Sequence, residues 1–80
     1  MDKETATQFL EGFDPTNEAL LKKASTHYFR GQALSVLGRH KEAIVCYDTA
    51  LKLEPEEKTF NLKSLSLFAL KKYKDAFVCI

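Results

Sequence analysis

Glycine occurs three times in the 80 residues, proline and cysteine twice each, methionine once and tryptophan not at all. With only Gly12, Gly31, Gly38, Pro15 and Pro55 as punctuation, and no Asn-Gly or Gly-Gly pair, the chain lacks the turn chemistry of hairpins, which excludes a strand-rich fold. Cys46 and Cys79 are too few and too far apart for a disulfide scaffold or a metal knuckle, so both read as reduced thiols. No apolar run approaches the roughly 18 residues that suggest a membrane span. The start Met1-Asp2-Lys3-Glu4 also has no basic region and apolar stretch of a signal peptide. A cytosolic location is therefore expected, with no membrane contact. Charge of one sign is missing as well: the net is +1, and nucleic-acid binding calls for a denser basic stripe than these interleaved charges provide. RNA binding through a basic face over residues 58–74 is the weakest reading. Phosphate loops, nucleophile elbows and paired carboxylates are absent too, so no enzyme activity, cofactor or metal is expected.

What remains is 45% hydrophobic and 29% charged residues, a composition for one small domain of marginal stability. A charge gradient lies within it: residues 1–19 hold Asp2, Glu4, Glu11, Asp14 and Glu18 against Lys3 alone. Leu20, Ala24, His27, Gly31, Leu34 and Leu37 recur at steps of four and three, the spacing of one helix face. The pattern predicts a helix from Pro15 to Leu37, capped by Asp14 and stopped by Gly38. Ala43, Tyr47, Ala50 and Leu51 mark a second helix over His40 to Leu53. Pro55 opens a third, with Glu56 and Glu57 in its first turn and Lys71 and Lys72 in its last. Tyr73 to Ile80 starts a fourth, with Asp75 near its beginning. Lys3 to Phe13, carrying Phe9, Leu10 and Phe13, forms a short additional helix.

A shift of 33 positions, which carries Thr26 onto Thr59, aligns THYFRGQALSVLGRHKEAIVCY with TFNLKSLSLFALKKYKDAFVCI without a gap. Thr26, Leu34, Leu37, Lys41, Ala43, Val45 and Cys46 recur as Thr59, Leu67, Leu70, Lys74, Ala76, Val78 and Cys79. Repetition at such a period marks a solenoid, whose helix pairs bury their apolar faces against their neighbours. Small residues at Gly31 and Ala43 let antiparallel helices approach, Tyr47 fills the space beside them and Pro55 forces the next turn. His27 and His40 align with Phe60 and Tyr73, so both histidines are expected to pack rather than to catalyse or bind metal.

These residues resemble the tetratricopeptide repeat family. The pattern reads His27, Gly31, Leu34, Ala43, Tyr47, Ala50, Pro55 in the first copy, with Gly38 at the turn between helices, and Phe60, Ser64, Leu67, Ala76 in the second. His27 stands where tryptophan is common, and Arg30 and Lys63 where leucine is common. The resemblance implies an all-α, right-handed helical-repeat solenoid of antiparallel helix pairs, about 1.7 repeats plus an N-terminal extension. Residues 1–23 would be an acidic segment and cap that lengthens the first helix at its start, 24–55 a complete repeat and 56–80 a truncated one.

It further implies a protein-binding scaffold or adaptor module. Its concave groove would be lined by Tyr28, Phe29, Gln32, Ser35 and Val36 in the first copy and by Lys58, Asn61, Leu62, Leu65, Phe68 and Ala69 in the second. Some family members hold the acidic tails of heat-shock chaperones in a clamp of lysines, asparagines and an arginine. Tyr28, Gln32 and Leu62 stand on matching positions here, so that clamp is not expected. A competing reading makes Leu62, Leu65 and Phe68 core beneath a further helix. Phe77, Val78 and Ile80 should each lose about 1.5–3 kcal/mol if left in water, so either the chain is the N-terminal part of a longer repeat protein or it self-associates through them. The alternative function is a regulatory or targeting segment of an enzyme whose catalytic domain lies beyond residue 80.

Overall fold

The computed structural model describes residues 2–78, and five helices follow one another along them: α1 Lys3–Glu11, α2 Glu18–Leu21, α3 Ala24–Val36, α4 His40–Leu53 and α5 Glu57–Val78. No strand occurs among the described residues. Asp2 caps α1, its Oδ1 accepting from the Thr5 N–H at 2.7 Å, which satisfies one of the donors every helix start leaves open. The described residues form an all-helical arrangement of the helical-repeat kind that the pattern implies.

α3 and α4 form the closed unit. They run antiparallel, since His40 Nδ1 lies 3.4 Å from Ser35 Oγ near the turn while Gly31 meets Tyr47 further along. Gly38 makes the turn with φ +82°, a left-handed conformation that costs a residue with a Cβ about 1–2 kcal/mol. Leu34, Ala43, Cys46 and Tyr47 form the core, and Leu10 and Leu62 pack against it from α1 and α5. α4 has the bounds that its pattern, the glycine before it and the proline after it predict.

Two expectations are corrected. No single helix runs from Pro15 to Leu37: Asp14 Oδ1 accepts from the Thr16 N–H and hydroxyl at 2.9 and 2.6 Å, Asn17 caps the one-turn α2, and Lys23 is extended at φ −94°, ψ 124°. The break is bridged by the buried His27 on α3, which donates Nε2–H to the Leu21 carbonyl at 2.9 Å. The second correction concerns the third and fourth helices, which are one continuous α5 without a turn after Lys72. The 33-residue shift places Lys71 where Gly38 turns the chain in the first copy. Lysine takes the left-handed conformation at a cost and the helical one readily, so the helix continues.

α5 meets α4 through a face the periodicity did not flag. Thr59 and Ser66 are buried there, the counterparts of Thr26 and of the fully buried Ala33, and Lys63 Nζ reaches Asp48 Oδ1 on α4 at 2.6 Å. Ser66 is 1% exposed and its hydroxyl has no hydrogen-bond partner. Leaving a buried donor unmatched costs about 1–3 kcal/mol. Ser66→Ala is therefore expected to stabilise the protein by about 1 kcal/mol, raising Tm by about 4–8 °C in a domain of this size. Thermal unfolding followed by circular dichroism checks it, and a lowered Tm contradicts the packing described.

Candidate partner-binding groove

α3 and α5 run parallel and leave a cleft between them, with α4 behind. At one end Lys58 Nζ sits 4.8 Å from the centroid of the Tyr28 ring, and further along Leu62 faces Gln32, Ser35 and Val36 across a cavity of about 230 Å³. Tyr47 closes its floor. The structure thus brings Tyr28, Gln32, Ser35, Val36, Lys58 and Leu62 to one place. Lys58 is held there twice, by the Tyr28 ring and by Glu56 Oε2 at 3.3 Å.

Other groove candidates stand elsewhere. Phe29 meets Tyr28 edge to face at 5.3 Å but opens toward α1, where it shares a cavity of about 380 Å³ with Phe9, Phe13 and Leu20. Sequence reasoning did not place those three in a site. Their one signal was the apolar i, i+4 pair Phe9 and Phe13, which puts two rings on one side of a helix. Asn61, Leu65 and Phe68 are exposed on α5, Phe68 by 67%, while Ala69 is half-buried. Leu62 packs on the core, whereas Leu65 and Phe68 do not act as core.

Of the repeat positions, Gly31, Leu34, Ala43, Tyr47 and Ala50 are buried between α3 and α4, and Gly38 and Pro55 are exposed at the turns. Their second-copy counterparts differ. Phe60 is 52% exposed, Leu67 49% exposed and Ser64 exposed as well. Ala76, Phe77 and Val78 continue the backbone of α5, their side chains lying outside the description, and Cys79 and Ile80 fall outside the described residues.

The electrostatics of the unit are those of packing. Burial pushes the Cys46 thiol up, against a smaller opposing pull from Arg30, so it is a poor nucleophile. Burial likewise pushes the Tyr47 phenol up to about 12. Arg30 lays its guanidinium over the Phe13 ring at 4.7 Å, a contact that suits a cation against an aromatic face. Among the described residues no group of three His, Cys, Asp or Glu is placed to hold a metal ion, and no helix is long and apolar enough to cross a membrane.

Comparison with known families matches the tetratricopeptide repeat to residues 24–57. Neither the curated proteins nor the solved structures give a match.

Proposed function

Since residues 24–57 form a tetratricopeptide repeat, a unit that generally mediates protein–protein interaction, we propose that this chain is a cytosolic scaffold or adaptor module. In this reading the cleft between α3 and α5 takes an extended peptide or a partner helix, and residues 1–23 cap the N-terminal flank of α3. The observation that carries it is the cleft itself, where Tyr28, Gln32, Val36 and Leu62 converge from two helices onto one open, mostly apolar wall. Apolar clefts with a few placed polar groups suit peptide recognition. An acidic C-terminal tail is not the expected ligand, because Lys58 is already paired with Glu56 and Leu62 offers no donor.

Groove residues outside the core can be charged without disturbing it, which makes the half-buried Val36 and the exposed Lys58 better probes than the core-packed Leu62. A Val36→Glu, Lys58→Glu variant is expected to stay folded and helical and to lose the protein partners that the wild type retains in a pull-down. An unchanged partner set, with the variant still folded, would rule out the groove.

A further inference from the structure

One side of α5 is an apolar stripe open to solvent. Phe60, Ser64, Leu67 and Phe68 share that side of the helix by their spacing, and all four are exposed. The opposite side, with Thr59, Leu62 and Ser66, packs inward. Three large apolar side chains around one small residue differ from a solvated helix face, which is polar. Glu57 and Lys71 stand at the two ends of the stripe, at helical spacing from Phe60 and Leu67. Both are exposed, and among the described residues neither has an ion-pair partner, whereas Lys58 and Lys63 on other sides of α5 are held by Glu56 and Asp48.

The first copy shows what such a face accepts. His27, Gly31 and Leu34, one repeat before Phe60, Ser64 and Leu67, are buried, and the small Gly31 lets the antiparallel α4 close on them through Tyr47. Ser64 is the small residue in the same place on α5, so this face too admits a helix at about 8–10 Å. We propose that its occupant is α5 of a second copy, packed antiparallel across a two-fold axis at Ser64. In that register Ser64 meets its own counterpart, Phe60 of each chain lies against Leu67 and Phe68 of the other, and Glu57 of each chain faces Lys71 of the other. An isologous contact of this kind covers both stripes at once. Charge fixes the direction: a parallel pair would set Glu57 against Glu57 and Lys71 against Lys71, while the antiparallel pair makes two opposite-charge contacts. From Glu57 to Lys71 the helix spans about 21 Å, a small contact, which puts the dimer in the weak, transient class. Only residues 57–71 take part, on the side of α5 opposite Leu62, so the pairing does not rest on the groove reading.

Sedimentation equilibrium in reducing buffer at about 0.1 M salt, where the Debye length is about 10 Å, tests it with loading from roughly 1 µM to 1 mM. The wild type is expected to pass from 9.1 kDa toward twice that mass as concentration rises. Ser64→Glu sets two carboxylates against each other on the axis and should leave the protein helical and monomeric throughout. Glu57→Lys and Lys71→Glu should each weaken the dimer by roughly fivefold or more, and the double swap Glu57→Lys, Lys71→Glu should bring it back near the wild-type affinity. That recovery is a result that loss of folding cannot give. Val36→Glu in the cleft should leave the dimer unchanged, which separates the two proposals. A wild type that stays monomeric over the whole range, or a double swap that associates no more tightly than either single change, would overturn the pairing.

Discussion

Gly31→Val is expected to destabilise the fold by about 2 kcal/mol or more. A Cβ built at this position meets the Tyr47 ring at Cε1, at 2.7 Å from Cδ1 and at 2.9 Å from Cζ, inside the distance side chains tolerate. Overpacking of this kind costs about 1–3 kcal/mol, occasionally more, and valine adds γ-methyls to a contact already closed at Cβ. The opposing effect is helix propensity, which favours most residues over glycine by at most about 1 kcal/mol. The clash wins, because Tyr47 is 1% exposed and has nowhere to swing. Chemical denaturation should show a stability drop of about 2 kcal/mol or more, against a total that this chain length puts at roughly 4–12 kcal/mol. A Gly31→Val protein with wild-type stability would mean that α3 and α4 do not approach as described.

Tyr47→Ala attacks the same contact from the other side with a comparable result. The ring reaches from Gly31 on α3 to the floor of the α3–α5 cleft, and removing a buried aromatic ring costs about 3–5 kcal/mol including the cavity left behind. That loss takes a large share of the roughly 4–12 kcal/mol available to a chain of this length, so the variant should melt well below the wild type by circular dichroism. Tyr47→Phe keeps the volume and should fold normally. The phenol also links the site to pH. Its value in the folded protein, about 12, stands above its ordinary 10.0 because burial disfavours the anion. The contribution is therefore fully present below pH 10 and is lost as pH rises through about 12. Alkaline unfolding over that window should be less steep in Tyr47→Phe.

The readable parts of the fold were those fixed by local chemistry. α4 could be bounded because Gly38 precedes it and Pro55 follows it, and its buried face follows the spacing of Ala43, Tyr47 and Ala50. The break at Lys22 and Lys23 could not be read, since neither residue breaks helices and the interruption is bridged by a hydrogen bond from His27, six residues beyond Leu21. The continuity of α5 was written at Lys71, but the strength of the repeat suggested a turn that this residue does not favour. Burial of Ser66 and Thr59 was legible only by asking what Ala33 and Thr26 do one repeat earlier. Half of the groove was legible from the family resemblance: Gln32 and Val36 on α3 and Leu62 on α5 stand on the first-helix positions of the two copies and meet across parallel helices. The Phe9, Phe13 and Leu20 cavity depends on how α1 docks on α3, a long-range contact with no repeat to announce it.

Exchange of amide hydrogens in the presence and absence of a partner recovered by pull-down tests the functional account most directly. The account predicts slowed exchange in residues 28–36 and 58–69, the two walls of the cleft, with the outer face of α4 unchanged. Slowed exchange confined to α1 and the outer face of α4, with both cleft walls unaffected, would contradict it.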